Sequence, residues 1–272
     1  MGIFETMASF SLLSLNSFSV PFYLSLGRIK RLALELNQMA PCLICLQEIQ
    51  QNAYLPLLQH NLTAYSHLAY FRNQFAPKGG LFTASISTHP IVKRIFYPFP
   101  NQGHLLSIGF SDWALNKGVL MTNLEVNKRC FVVMNTHLQA NYLADWKLSN
   151  SQTRIQLDQV KYLGELIRAQ PNDAWVIVCG DFNFPRHSPA YEQMVLQSGM
   201  VDAHADDPRP TYQPFPLISA KWRTSLDFIF YRKPTADNSE VTADIIPVVN
   251  SAAHWTYQRF LTDHHALLIN IR

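Results

Sequence analysis

The chain has 272 residues, of which 48% are hydrophobic and 15% charged, and its formal net charge at pH 7 is +3. A sizeable core is therefore available, which argues against a disordered chain. The mild charge lacks the dense basic footprint of a dedicated nucleic-acid-binding protein but tolerates an anionic substrate or a membrane surface. Because no linker separates two compositional halves, we expect one domain over residues 1–272.

The N-terminal segment 8–26 is rich in Leu, Phe and Ser and resembles a signal peptide. Glu5, the lack of Lys or Arg before Arg28, and the interruption by Asn16 favour a short strand over residues 10–15 instead. The composition is typical of a cytoplasmic protein. We expect no transmembrane segment, so any membrane contact would be peripheral.

Hydrophobic patterning predicts many short strands and a few helices. Apolar runs predict strands near residues 9–15, 41–47, 80–86, 106–110, 118–125, 130–137, 174–180, 225–231 and 265–271. Helical periodicity is clearest at 27–39 and 152–169, and a third helix is expected from Ser188 to Ser198 with Pro189 in its first turn. Residues 205–216 contain four prolines and predict a loop. Such a succession is typical of a layered α/β or α+β sandwich.

The four cysteines are Cys42, Cys45, Cys130 and Cys179. In a strand, Cys42 and Cys45 would point to opposite faces and could not easily form a disulfide. We expect four buried thiols, which fits a reducing compartment.

Residues 176–183, Val-Ile-Val-Cys-Gly-Asp-Phe-Asn, predict a buried strand that ends in polar side chains. Asp181 and Asn183 are two residues apart, so in an extended backbone both would leave on the same face. A carboxylate beside an amide is suited to holding a water and a phosphate oxygen. The alternative is a strand followed by an Asx turn with no role in function.

Polar groups follow or interrupt other apolar runs in the same way. They are Asn16, Gln47, Glu48, His137, Asp227, Asp263 and His264. Each has a structural alternative, because Glu48 could cap a helix, His137 could be a core histidine and Asp227 could lie on an exposed edge. As a set they favour a functional site, since buried carboxylates and imidazoles are costly unless paired or metal-bound.

The residue types of this set fit one chemistry. Oxygen ligands from Asn and Glu suit Mg²⁺, with Mn²⁺ as a substitute, whereas zinc would require more His or Cys. Two histidines near acids suit general acid–base catalysis. The sequence has neither a Gly-rich phosphate loop nor a Gly-x-Ser-x-Gly motif. The best match is metal-assisted attack of water on a phosphate ester.

The ordered set of motifs resembles the endonuclease/exonuclease/phosphatase superfamily, which has the DNase I fold. The matching segments are Asn16, Leu46-Gln47-Glu48, Thr136-His137-Leu138, Gly180-Asp181-Phe182-Asn183, Leu226-Asp227-Phe228-Ile229-Phe230 and Thr262-Asp263-His264. They occur in family order across nearly the whole chain, and Thr262 stands where the family usually has Ser. The resemblance implies a four-layer α/β sandwich, with two mostly antiparallel β-sheets packed face to face and flanked by helices.

The resemblance also implies a role for each matching residue at the metal. Glu48 corresponds to the main Mg²⁺ ligand, with Asn16 beside it, and Asp263 supports the metal shell.

The resemblance further implies the catalytic roles. Asp181 would orient or deprotonate the attacking water, and Asn183 would hold a phosphate oxygen. His264 would act as a general base supported by Asp227. His137 would stabilise charge in the transition state or protonate the leaving group. The sequence does not settle which histidine is acid and which is base.

Within the superfamily, residues 112–118 and 136–142 are similar to segments of neutral sphingomyelinases. This similarity suggests a phospholipase C, with Lys117 and Arg154 as substrate-binding residues, although Lys117 could equally be a turn lysine before a strand. A DNase I-like endonuclease is the alternative. A phosphoinositide phosphatase or a catalytically silent binding module fits less well.

The expected partner is a phospholipid headgroup at a membrane surface, or a nucleic acid in the alternative function, and we expect a monomer. Phe96, Tyr97 and Phe99 fall in a Pro-rich stretch read as a loop, and Trp255 and Tyr257 precede the last motif. Exposed aromatics of this kind could insert at an interface or surround a quaternary ammonium. Core packing would explain the same residues.

Overall fold

Twelve β-strands and four α-helices follow one another along the described part of the chain. The computed structural model describes residues 10–19, 25–102, 116–214, 223–251 and 259–272. In chain order the elements are β1 (Phe10–Ser19), α1 (Ser25–Met39), β2 (Leu43–Ile49), α2 (Tyr54–Asn61), β3 (Tyr65–Ala69), β4 (Phe82–Ile86), β5 (Ile91–Pro98), β6 (Gly118–Val126), β7 (Arg129–His137), α3 (Ser151–Arg168), β8 (Trp175–Asp181), α4 (Pro189–Ser198), β9 (Val201–Asp202), β10 (Asp227–Arg232), β11 (Val241–Ile246) and β12 (Ala266–Ile271).

The predicted helices are confirmed, and their caps explain where they begin. The Asn150 side chain accepts a hydrogen bond from the backbone N–H of Gln152 at the start of α3. Ser188 caps α4 in the same way, and Pro189 occupies its first turn. Gly199 ends α4 in a left-handed conformation, with φ of 64°.

The strands form two six-stranded sheets. The first sheet has the order β11-β12-β1-β2-β4-β3, and the second has the order β5-β6-β7-β8-β10-β9. Among the described strands, the β1–β2 and β7–β8 pairs are parallel and the other pairs are antiparallel. The prediction of two mostly antiparallel sheets is therefore confirmed.

The two sheets pack face to face and are flanked by helices. Side chains of both sheets, including Phe10, Leu43, Phe131, Trp175 and Ile269, form the apolar layer between them. Helices α1 and α2 pack on the outer face of the first sheet, and α3 and α4 pack on that of the second. Since central strands are buried on both faces, they read as continuous apolar runs. The fold is the four-layer α/β sandwich implied by the resemblance.

The strands that the sequence analysis missed lie at the edges of the sheets. β3 and β11 are the outer strands of the first sheet, and β5 and β9 are those of the second. β5 contains the exposed Lys93 and Arg94 and has no fully buried residue. Edge strands carry polar side chains that interrupt an apolar run. The strand predicted at 106–110 lies outside the described residues.

Two expectations about individual side chains were wrong. Phe96 and Tyr97 belong to β5 rather than to a loop, and Phe99 is buried in the core. Trp255 and Tyr257 lie outside the described residues. All four cysteines are free, but only Cys45 and Cys179 are buried: Cys42 is half-buried, and Cys130 is exposed because it lies beside the β6–β7 turn.

No helix within the described ranges combines the length and the apolar character that crossing a bilayer requires.

The topology brings the polar strand ends to one edge of the sandwich. Parallel strands end at the same edge, and an antiparallel neighbour begins there. The β1–β2 and β7–β8 pairs supply the strands that end at this edge. β10 begins there because Asp227 pairs with Asp181, and β12 begins there because it runs antiparallel to β1.

A buried asparagine joins the two sheets just beneath this edge. The amide nitrogen of Asn135, on β7, donates to the carbonyls of Leu46 and Phe82 at 3.1 Å each. Its amide oxygen accepts from Gln47 Nε2 at 2.8 Å. Leu46 and Phe82 form the last pair of the β2–β4 ladder, so Asn135 supplies the hydrogen bonds that this ladder leaves unmade.

Replacing Asn135 with alanine should destabilise the protein by roughly 2–4 kcal/mol, because the buried carbonyls of Leu46 and Phe82 would lose their shared side-chain donor. Chemical denaturation monitored by circular dichroism measures this change. The matched control is Asn238→Ala, since Asn238 is exposed. Equal unfolding midpoints for the two variants would contradict the assigned role of Asn135.

Candidate active site

The carboxylate of Asp181, the last residue of β8, is the centre of the polar cluster. Asn16 Nδ2 donates to Asp181 Oδ2 at 2.9 Å and to Glu48 Oε1 at 3.0 Å. The same Asp181 oxygen lies 3.7 Å from His137 Nε2 and 4.0 Å from His264 Nε2. Three predicted site residues, Asn16, His137 and His264, therefore approach one oxygen of Asp181, and Asn16 links that oxygen to Glu48.

A β-bulge aims Glu48 at this cluster. The register between β1 and β2 shifts after the Asn16–Gln47 pair and resumes at Ser19 and Ile49. Within the shift, Phe18 and Glu48 have left-handed φ values of 46° and 61°. Bulges redirect side chains next to active sites. Since Glu48 is neither Gly nor Asn, its conformation is a local strain that the surrounding sheet maintains.

His264 and Asp227 form a buried pair. His264 Nδ1 lies 2.8 Å from Asp227 Oδ2, and this oxygen also accepts from Thr211 Oγ1 at 2.6 Å. The Thr262 hydroxyl donates to the Asn16 carbonyl at 2.6 Å and accepts from the His264 backbone N–H at 3.2 Å. With Nδ1 bound to Asp227, Nε2 is the nitrogen left to face Asp181. Thr262 provides the hydroxyl that the family usually takes from serine.

The expectation that Asp181 and Asn183 lie on one extended strand was wrong. Asn183 has a left-handed φ of 56°, and its backbone N–H donates to Asp181 Oδ1 at 2.9 Å. This is an Asx turn, the alternative considered for the end of this strand, and it forms inside the polar cluster. Gly180 is required at the bend, because a Cβ there would lie 1.8 Å from the Thr136 carbonyl oxygen.

The Leu138 carbonyl links the Asn183 side chain to Lys117. Asn183 Nδ2 donates to this carbonyl at 3.1 Å, and Lys117 Nζ donates to it at 2.5 Å. Lys117 is 1% exposed and does not line the cavity described below, and its contact with substrate stays a prediction. Arg154 is exposed on α3 and also lies outside the cavity lining.

The cluster opens into a cavity of about 330 Å³. The cavity contains His137, Asp181, Asn183, Asp263 and His264, together with Glu48. Its walls also include the aromatic side chains of Phe18, Tyr142, Trp146 and Tyr212. Among the described residues, neither lysine nor arginine lines it.

Sequence reasoning missed several residues that hold the site. Thr211 and Tyr212 come from the predicted Pro-rich loop, and the Tyr212 ring lies 5.2 Å from the His264 ring, centroid to centroid. Arg28, on α1, is buried and donates to the carbonyls of Ser17, Phe18 and Leu261. None of these residues follows an apolar run, which was the signal used to find the other site residues. Only the tertiary structure therefore shows that they hold the site.

Burial disfavours the charged form of three carboxylates in the cluster. Burial raises the pKa of Glu48, against the hydrogen bond from Asn16. Burial, reinforced by Asp227, raises the pKa of Asp181 to about 6. Burial also raises the pKa of Asp263 to about 6, and the charge of Glu48 adds to the effect. A bound cation would favour the charged carboxylates and so offset the cost of their burial.

The two histidines have opposite shifts. Burial alone would lower the pKa of His264, but Asp227 and Asp263 raise it well above its usual range. Burial lowers the pKa of His137 well below 6.5, and the charges of Lys117 and His264 act in the same direction. The two imidazoles therefore differ in basicity, which is an arrangement suited to acid–base chemistry.

Two groups of side chains in the cluster could hold a metal ion. Ligand atoms of Glu48, His137 and Asp181 lie within 4.8 Å of one another, as do those of Asp181, Asp227 and His264. In the second group, Asp227 and His264 already bind each other. The first group is therefore the better candidate. Asn16 turns its amide nitrogen, not its oxygen, toward these carboxylates, so direct ligation by Asn16 would require the amide to rotate.

Relatives identified by sequence carry phospholipase and sphingomyelinase names. A Staphylococcus aureus protein named Phospholipase C is 24% identical over 185 residues, which are 65% of this chain and 53% of that protein. Sphingomyelinase C 2 of Leptospira interrogans is 27% identical over 150 residues, which are 54% of this chain and 22% of that protein. The matched regions thus cover about half or less of these relatives.

Solved structures share the fold over almost the entire chain. Sphingomyelinase C from Streptomyces griseocarneus has a TM-score of 0.77 at 20% identity, covering 97% of this chain and 100% of that one. TDP2 from D. rerio, solved with a single-strand DNA product, has a TM-score of 0.73 at 17% identity, covering 97% and 99%.

The family model described as Endonuclease/Exonuclease/phosphatase matches residues 14–264, a span that contains every polar residue of the cluster around Asp181. Together with the four-layer sandwich, this match establishes that the chain belongs to the endonuclease/exonuclease/phosphatase family.

Proposed function

We propose that the protein is a metal-dependent phosphodiesterase of the phospholipase C type, similar to neutral sphingomyelinases. The observation that carries the proposal is the approach of two imidazoles, His137 and His264, and one amide, Asn16, to the same Asp181 oxygen within 4.0 Å. The set offers acid–base groups beside oxygen ligands, the combination that phosphate ester hydrolysis by water requires.

Mg²⁺ is the cation that we propose, with Mn²⁺ as a substitute, because few carboxylates and an open cavity suit an ion that keeps several waters. Glu48 and Asp181 would hold it, with Asn16 and Asp263 beside them. The ion would supply Lewis acidity at the phosphate oxygens. The raised pKa values of Asp181 and Asp263 support a cation at this position.

The side chains have separable roles in the reaction. Asp181 orients the attacking water, and Asn183, which lines the cavity, contacts a phosphate oxygen. His264 exchanges a proton at Nε2, while Asp227 fixes the ring through Nδ1. His137 provides the second imidazole, whose Nε2 lies 3.7 Å from Asp181 Oδ2. Water adds to phosphorus, the phosphorus–oxygen bond to the lipid alcohol breaks, and that alcohol leaves with a proton as the headgroup phosphate is released.

The cavity lining supports a substrate with one phosphate and a cationic or neutral headgroup. Described residues contribute carboxylates and four aromatic rings to the lining, but no lysine or arginine. Aromatic faces and carboxylates attract a quaternary ammonium such as choline. Nucleic acids and polyphosphates are bound through Lys and Arg. The names of the sequence relatives support the same substrate class.

The second candidate function is hydrolysis of nucleic-acid phosphodiesters. It is favoured by the likeness in fold to TDP2 solved with a DNA product. The catalytic residues would act in the same way on either substrate.

The variant His264→Ala should lower kcat about 10²–10⁴-fold, because it removes a proton-transfer group from the reaction. Release of phosphocholine from sphingomyelin vesicles in Mg²⁺ measures the loss, and EDTA should abolish the wild-type activity. Circular dichroism should show unchanged folding.

The matched control is His265→Ala, which alters the neighbouring histidine outside the cavity lining and should retain activity. Plasmid nicking measured in parallel tests the second candidate. An unchanged rate for His264→Ala would contradict the catalytic assignment, and plasmid cleavage without headgroup release would contradict the lipid substrate.

The variant Asp263→Asn should stabilise the protein in EDTA at pH 7–8 by roughly 1–3 kcal/mol. The raised pKa of Asp263, about 6, means that ionisation opposes folding. This opposition is absent below about pH 4, the ordinary range of an aspartate, and is complete above about pH 6. The gain from the substitution should therefore appear as the pH rises through that window, and thermal unfolding measures it.

In Mg²⁺ the stability difference between Asp263→Asn and wild type should become smaller or change sign. The reason is that the variant lacks a negative charge that would stabilise the bound cation. Asp206→Asn is the control, since Asp206 is an exposed aspartate. Equal melting temperatures of Asp263→Asn and wild type in EDTA would contradict the claim that ionisation of the buried Asp263 carboxylate opposes folding.

A further inference from the structure

The loop between β7 and α3 exposes apolar side chains beside the cavity. In the segment 141–150, Tyr142 is 46% exposed, Leu143 64% and Leu148 61%. Exposed apolar residues are common singly, but a group on one short loop next to a site indicates an interaction surface. We name residues 141–150 the mouth loop.

The mouth loop is held in shape by its own hydrogen bonds. The Asp145 carbonyl accepts from Asn141 Nδ2 at 2.8 Å, Asn150 Nδ2 at 2.8 Å and Thr153 Oγ1 at 3.1 Å. Trp146 Nε1 donates to the Asn183 carbonyl at 3.1 Å. The loop is therefore a closed unit fixed to the catalytic turn, and its exposed leucines are presented by a built structure.

The same loop forms part of the cavity wall. Asn141, Tyr142, Ala144 and Trp146 line the cavity. Leu143 and Leu148 do not line it, although they belong to the same unit. A partner that binds Leu143 and Leu148 would therefore lie beside the cavity that contains the catalytic cluster.

We propose that the mouth loop is the surface that contacts a lipid bilayer, with Leu143 and Leu148 inserted among the acyl chains and Tyr142 at the headgroup level. The proposal rests on the proposed function and assigns it a docking surface. Aromatic residues with a polar end favour the interfacial region, and aliphatic side chains favour the hydrocarbon beneath it.

The chemistry of the loop favours a bilayer over other partners. Leucine side chains cannot stack on nucleic-acid bases as aromatic rings do. Lys147 is exposed between the apolar residues, and Arg154 is exposed in the first turn of α3. Asp145 is turned toward its own loop, where one carboxylate oxygen accepts from the Lys147 backbone N–H at 3.2 Å. Cationic ends beside apolar side chains complement the phosphates above an acyl layer.

The test separates vesicle binding from catalysis. Sedimentation with vesicles of phosphatidylcholine and sphingomyelin is measured for His264→Ala, so that no lipid is consumed. The substitutions Leu143→Ser and Leu148→Ser, called the mouth-loop pair, are both introduced into the His264→Ala variant. The matched control instead carries Leu34→Ser and Leu196→Ser, which alter exposed leucines on α1 and α4. Turnover of vesicles and of bis(4-nitrophenyl) phosphate is measured with His264 intact.

The mouth-loop pair should weaken vesicle binding and vesicle turnover by about tenfold or more, because two inserted leucines are lost. It should leave hydrolysis of the soluble ester unchanged, and the control pair should behave as its parent. Unchanged vesicle binding by the mouth-loop pair overturns the proposal. The proposal is also overturned if the pair keeps its affinity for vesicles but loses affinity for a single-stranded oligonucleotide. Absence of soluble-ester and lipid hydrolysis in the wild type would refute the proposed function, while vesicle binding still decides the role of the loop.

Discussion

One amide nitrogen, Asn16 Nδ2, connects carboxylates from the two sheets, and the polar cluster depends on this connection. It donates to Glu48 on β2 and to Asp181 on β8, two residues that are far apart in sequence and lie on facing sheets. Buried carboxylates repel each other, and burial disfavours their charge. The sandwich must therefore hold the cluster together against its own electrostatics. Asn135 and Gln47 beneath the cluster and Arg28 beside it supply hydrogen bonds that keep the strand ends in place.

The sequence predicted the central strands and the polar residues at their ends. Strands such as β7 and β8 are buried on both faces, so a continuous apolar run marks each of them, and His137 and Asp181 mark where they stop. The edge strands were missed, because solvent exposure on one side removes that run, as in β5. The order of the motifs along the chain resembles the endonuclease/exonuclease/phosphatase family, and it was this resemblance that implied the four-layer fold.

Backbone geometry and long-range contacts could not be read from the sequence. Nothing in the residue pattern indicates that Glu48 and Asn183 adopt left-handed conformations, because those conformations are imposed by the bulge and the Asx turn. Thr211 reaches Asp227 from a proline-rich loop whose path only the tertiary structure defines. The residue pattern also does not indicate that the Lys117 side chain is buried and donates to the Leu138 carbonyl, which the Asn183 side chain shares.

The central claim is that Glu48, Asp181 and the two histidines act together on a metal-bound phosphate. The most direct measurement is diffraction from crystals grown with Mn²⁺ and phosphocholine, using the anomalous signal of manganese to locate the ion. The account predicts an anomalous peak at Glu48 and Asp181, with the phosphate in the cavity beside His137, Asn183 and His264. Manganese and phosphate bound away from these residues, in a preparation that hydrolyses its substrate, would contradict it.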